Sequence, residues 1–82
     1  MASHKKVKQV VIYTTTACAH CRRAKEFLRE RGIAFREMDV SASQRARKEL
    51  QRLGARGVPV LVIGGERMDG FEPKRFLALY QK

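Results

Sequence analysis

The sequence predicts an α/β protein of order β-α-β-α-β-β-α, a four-stranded mixed sheet flanked by three helices. Three observations lead there. Short apolar, β-branched runs alternate with longer segments of helical spacing. Gly64-Gly65 stands between the last two strand-like runs, a two-residue hairpin signal. Each helical segment also carries its own punctuation: Gly32 and Gly54 as stops, Pro73 as a start.

The elements follow in order. Residues 1–8 are polar and basic and read as a flexible leader to a single domain over residues 9–82. Gln9 to Thr14, QVVIYT, is apolar without alternation, which suits a strand covered on both faces. Cys21, Ala24, Phe27 and Leu28 then fall on one helical stripe, with charged residues filling the remainder. Ala34 to Val40 is the second strand. Ser41 and Ser43 are both candidate N-caps for a second helix whose inner stripe is Ala46, Leu50 and Leu53. Val58 to Ile63 is the third strand and Glu66 to Asp69 a short fourth. Pro73 opens the last helix, with Phe76, Leu77 and Tyr80 inward. The first strand–helix–strand unit is expected to be parallel and right-handed, the closing hairpin antiparallel.

Composition narrows the function classes. A hydrophobic content of 44% supplies a modest core and rules out a disordered tail. Two cysteines allow one disulfide, too few for a small secreted scaffold, and favour a reducing compartment. The longest apolar run, Val58 to Ile63, is far too short to span a bilayer, and no signal-peptide pattern follows the leader. The expectation is a cytoplasmic monomer with no membrane partner. The net charge of +10 attracts polyanions at long range. Most basic residues, among them Arg22, Arg23, Lys25 and Arg29, fall on predicted outer helix faces and read as solvated surface. Attraction of acidic partners to the Cys18 face is a second reading. A nucleic-acid module is a third, with no motif beside the charge and few aromatics to support specific binding.

The chemistry centres on TTTACAHCRRAKEF, residues 14–27, which holds both cysteines. A thiol attacks a disulfide only as its thiolate, so chemistry near neutral pH needs an environment that favours the anion. The head of a helix offers unpaired N–H groups and a positive dipole end, and Cys18 is placed to receive both. Cys21 lies one turn on, on the same face. The pair suits a two-step exchange in which Cys18 attacks and Cys21 resolves. Two other readings stand beside it: an inert buried pair, and a zinc site. Zinc needs about four ligands, and His4 and His20 are the only histidines that could join the cysteines, so no metal is expected. His20 is either a proton shuttle or charge that assists the thiolate, or an exposed residue that shapes the surface.

Pro59 begins a strand, where proline is tolerated. With a thiol pair elsewhere in the chain, Val58-Pro59 is a candidate cis bond that would turn the Val58 backbone outward beside Cys18. Its N–H and C=O would then pair with an extended substrate, as in strand addition. Gly70-Phe71-Glu72-Pro73 lies at the mouth of the last helix. It reads either as a turn plugged by Phe71 or as an anion cradle for a peptide carboxylate.

Together these residues resemble the glutaredoxin family over nearly all of the chain, from about Gln9 to Tyr80. The likeness rests on the IYT run, Cys18-x-x-Cys21, Arg23-Ala24-Lys25, Val58-Pro59 and the glycine-rich hairpin ending in Gly70. It implies a thioredoxin-like fold, a nucleophilic Cys18, a resolving Cys21 and a cis Pro59. It also implies an enzyme that reduces protein disulfides or glutathione mixed disulfides, with no cofactor bound and glutathione as reductant. Glutathione would lie along Val58 and Pro59, with its glutamyl end at Gly70, Phe71 and Glu72. The chain departs from the family's usual pattern. Ala19 and His20 replace Pro and Tyr, a lysine before the motif is replaced near Thr15, and Gly57 stands for Thr. Phe71-Glu72-Pro73 replaces Cys-Asp-Asp, as in the redoxins that reduce ribonucleotide reductase with electrons from thioredoxin reductase and NADPH. Glu72, Arg22 and Arg56 remain candidates for the charged ends of glutathione. The resemblance leaves one further alternative, an iron–sulfur cluster held between two chains by the first motif cysteine.

Overall fold

The structure, a computed structural model, describes residues 8–81. Its elements are β1 (Val10–Thr14), α1 (Ala19–Glu30), β2 (Arg36–Asp39), α2 (Gln44–Arg52), β3 (Val60–Ile63), β4 (Glu66–Asp69) and α3 (Pro73–Gln81). The sheet order is β2-β1-β3-β4, with β1 and β2 parallel and the other pairs antiparallel. This is the mixed sheet with three helices that the element order predicts.

Alternation along β1 sorts the sheet into two faces. Val10 and Ile12 join Ala24 and Leu28 of α1, Leu61, Ile63, Met68 and Phe76 of α3 in one buried cluster. On the other face the Tyr13 hydroxyl donates to Glu49 of α2 at 3.2 Å, and Ala46 is fully buried. So α1 and α3 cover one side and α2 the other, and β1 is buried at four of its five positions. Its C-terminal end delivers the chain directly into the cysteine loop.

Several boundaries are tighter than the sequence predicts. The second strand covers Arg36–Asp39 and not residues 34–40, the four residues that pair with Val11 to Thr14 of β1. The third begins at Val60, since Pro59 has no N–H for the ladder. The Pro59 carbonyl is used nonetheless, accepting from the Gly70 N–H at 2.8 Å. Of the two candidate caps, Ser43 caps α2 by accepting from the Ala46 N–H at 3.1 Å. Ser41 instead donates through its own N–H to Asp39 Oδ1 at 2.9 Å. Gly64 and Gly65 both take positive φ, 54° and 89°, as a tight two-residue hairpin turn requires.

Residues 1–7 of the expected leader lie outside the described residues. Lys8 donates from Nζ to the Leu79 carbonyl at 2.7 Å, joining the start of the domain to α3. Among the described residues no helix is long and apolar enough to cross a membrane, and no group of three His, Cys, Asp or Glu is placed to hold a metal.

Candidate active site

Cys18 is the N-cap of α1. Its backbone is extended (φ −129°, ψ 109°), and its Sγ accepts the Cys21 N–H at 3.1 Å. Its carbonyl accepts the Arg22 N–H at 3.1 Å, so the helix begins on this residue. Serine or aspartate usually takes this position because oxygen is the better acceptor; here sulfur does. The first turn of α1 itself contains no acidic residue to offset the positive helix end. Cys18 is half-buried, and both thiols are free.

Cys21 is placed differently. It is 1% exposed, facing inward from α1 with Ala24 and Leu28. Burial first, and then its hydrogen bond with Cys18, push its thiol up from 9.0 to about 12. The Thr15 backbone and the Lys25 charge pull the other way.

Both sulfurs border a hollow of about 130 Å³ that also takes in Thr15, Lys25, Glu37 and Asp39. Lys25 is not the solvated surface residue that its outer-face placement suggests. Its side chain is 20% exposed, and Nζ lies 2.8 Å from Glu37 Oε2. The fully buried Thr14 donates its hydroxyl to the same oxygen at 2.7 Å. Lys25, then Thr14, hold the Glu37 carboxyl below its usual range. The Ser41 hydroxyl and N–H do the same for Asp39.

Of the remaining expected site residues, all but Glu72 line one of two other depressions. The Val58-Pro59 bond is cis. Val58, Pro59, Arg56 and Gly70 line a groove of about 460 Å³ with Gly54, Gly57 and Asp69. His20 and Phe71 are found elsewhere, in a cleft of about 260 Å³ between α1 and the head of α3. His20 thus opens onto that cleft and does not border the hollow that holds the two sulfurs. Phe71 packs edge-on to Phe27 at 5.2 Å and tilted against Phe76 at 6.0 Å, plugging the α3 head. Glu72 is exposed beside it, and its carbonyl accepts the Phe76 N–H at 2.8 Å. Thr14 and Glu37 were not singled out from the sequence, because their role depends on contacts between β1, β2 and α1. Lys25 carried one signal: it lies four residues beyond Cys21, hence on the same helical face.

The chain is similar to known proteins in sequence and in fold. The family model described as glutaredoxin matches residues 10–68. An uncharacterized glutaredoxin-like 8.6 kDa protein from the rubredoxin operon of Clostridium pasteurianum is 32% identical over 74 residues, 89% of this chain and 99% of that one. A glutaredoxin of Pseudomonas aeruginosa is 40% identical over 62 residues, 74% of each chain. Among solved structures, the Escherichia coli NrdH-redoxin superposes with a TM-score of 0.77 at 30% identity, covering 87% of this chain and 93% of that one.

Proposed function

The chain belongs to the glutaredoxin family and is a thiol–disulfide oxidoreductase, and we propose that Cys18 is its nucleophile and Cys21 its resolving thiol. The observation that carries this assignment is the asymmetry of the pair. One sulfur is half-buried at a helix head with an N–H aimed at it from 3.1 Å; the other is 1% exposed with its thiol pushed up to about 12. Cys18 thiolate attacks one sulfur of a substrate disulfide. That S–S bond breaks, a mixed disulfide forms on Cys18, and the first substrate thiolate leaves and is protonated by solvent. Cys21 then loses its proton and attacks Cys18 Sγ. The second substrate sulfur leaves reduced, and the protein holds a Cys18–Cys21 disulfide that an external donor must return to two thiols.

The groove beside Val58 suits an extended peptide. No hydrogen bond joins the Val58 amide or carbonyl to another described residue, so both remain for a substrate backbone. For the donor, the α3 head favours a thioredoxin-reductase-type flavoprotein drawing on NADPH. Pro73, first in the helix, has no N–H to offer an anion, and Glu72 beside it adds negative charge where glutathione's glutamyl carboxylate would dock. The Escherichia coli relative is described as a glutaredoxin-like protein with a thioredoxin-like activity profile, which supports the same choice. Glutathione is the second reading, favoured by exposed Arg56 on the groove, a partner for its glycine carboxylate.

The test runs both donor systems side by side on a protein disulfide such as insulin and on a glutathione mixed disulfide. Thioredoxin reductase with NADPH is expected to sustain the faster turnover, and Cys18→Ser to abolish turnover in both. Equal or faster turnover with glutathione and glutathione reductase would reverse the donor assignment. Turnover undiminished by Cys18→Ser would end the nucleophile assignment.

A further inference from the structure

The second step of the cycle asks a deeply buried thiol to lose a proton. Burial alone makes that costly, because the anion forms with little water around it. The charged and titratable groups around the hollow are few. From α1 come Arg22 and Lys25, and from β2 Glu37 and Asp39; the β1–α1 loop contributes the N-cap Cys18 and the hydroxyls of Thr15 and Thr16. Arg22 is exposed, whereas Lys25 is largely covered and sits one helical turn beyond Cys21 on the same stripe. Asp39 is engaged by Ser41. Glu37 fixes the Lys25 ammonium at 2.8 Å, and the Thr14 hydroxyl fixes Glu37 at 2.7 Å.

We propose that Lys25 stabilises the negative charge that develops on Cys21 Sγ during the resolving step, and that Glu37 and Thr14 are the positioning residues that hold its ammonium at the hollow. The inference rests on the dithiol cycle above. In the step it serves, the Cys21 proton passes to solvent and the Cys21–Cys18 S–S bond forms. The bond from Cys18 to the substrate breaks, and the substrate sulfur leaves as a thiolate. No further oxidant or reductant enters. The direction of Lys25's influence on the Cys21 thiol agrees: its positive charge favours the anion.

Ellman's disulfide separates the two steps by stopped flow. The first thionitrobenzoate is released when Cys18 attacks, at a rate that grows with reagent concentration. The second is released when Cys21 resolves the adduct, at a rate that does not. Removing the charge raises the Cys21 thiol further. Each unit costs tenfold in thiolate at pH 7, partly offset by the higher nucleophilicity of a more basic thiolate, which leaves a loss of about three- to fourfold per unit. Lys25→Met is therefore expected to slow the second phase about three- to tenfold, leave the first within about twofold, and displace the second phase's pH profile upward. Lys25→Arg is expected to restore most of the rate. The double variant Lys25→Met, Glu37→Gln leaves no unpaired charge and guards against misfolding; its second phase is expected to stay slow. Equal slowing of both phases, an arginine variant as slow as the methionine one, or recovery in the double variant would each overturn the role of the ammonium. A second phase that survives Cys21→Ser would overturn the dithiol cycle itself, and the inference with it.

Discussion

The sharpest consequence of the site's asymmetry concerns alkylation of Cys21 when Cys18 is absent. In a Cys18→Ser variant the remaining thiol keeps the burial that chiefly raises it but loses the raising effect of Cys18, so the value of about 12 is an upper limit. Against an ordinary thiol at 9.0, a shift of up to three units removes a factor of up to about 1,000 in thiolate at neutral pH. At that limit greater nucleophilicity returns about 16- to 32-fold for a Brønsted slope of about 0.4–0.5, leaving reaction up to about 30- to 60-fold slower than for an unhindered thiol. Steric cover at 1% exposure slows it further. The assay is iodoacetamide labelling followed by mass spectrometry of the intact folded variant, with N-acetylcysteine in the same tube, from pH 7 to pH 10. The rate for the free thiol flattens above pH 9, whereas that for Cys21 is expected to keep climbing about tenfold per pH unit. Labelling of Cys21 within about threefold of N-acetylcysteine at pH 7, or a plateau near pH 9, would refute the argument from burial.

Further outcomes follow from the same contacts. The unfolded chain releases the Cys21 proton near 9.0 while the folded chain holds it to about 12, so stability is expected to fall across that window by up to about 1.4 kcal/mol per pH unit. Chemical denaturation of wild type against Cys21→Ala at pH 8 and pH 10 checks it, the variant losing less. Glu37 works at the other end of the scale. Its lowered carboxyl contributes stability that is present above its ordinary value of 4.5 and lost as pH falls through the folded value. With 31% of that side chain exposed, Glu37→Gln should flatten the acid limb of a pH–stability curve by no more than about 1 kcal/mol. Phe76→Ala removes a fully buried ring packed on Phe27, Phe71 and Tyr80, and is expected to cost about 3–5 kcal/mol by urea denaturation, a large part of the total for so small a domain.

The parts of the molecule legible in the sequence are those fixed by local pattern. Cys21, Ala24 and Leu28 share a stripe because the helical period puts them there, and all three are buried. Gly64-Gly65 and Pro73 act within a few residues and stand where they were expected. Cys18 at the helix head was readable because a strand-like run, a short loop and a helical period fix its place between them. What local pattern does not give is contact between distant segments. Lys25, Glu37 and Thr14 meet only because β1 and β2 pair in parallel with Thr14 opposite Asp39, which sets Glu37 against the side of α1. The placing of His20 in a cleft apart from Val58 depends likewise on long-range packing, since that cleft is formed by α1 and the head of α3. Ser41 and Ser43 show the limit within a single loop: both suit a cap, and only the hydrogen bonds of Asp39 decide between them.

Cys18 does two jobs that compete. As a helix cap the protonated thiol is poor, since neutral sulfur is a weak acceptor for the Cys21 N–H at 3.1 Å. As a nucleophile it needs that same N–H, which stabilises the thiolate. Replacing it with serine puts a strong cap where a weak one stood, on a helix that already begins in the required extended geometry, φ −129° and ψ 109°. The chemistry is lost but the fold should gain about 0.5–1 kcal/mol, an increase in Tm of about 2–8 °C for a domain of this size. Thermal unfolding of the two reduced proteins, at a pH low enough to keep the thiol protonated, measures the difference directly. If the serine variant melts at the same temperature or lower, the sulfur is not a compromised cap, and the stability given up for reactivity lies elsewhere in the site.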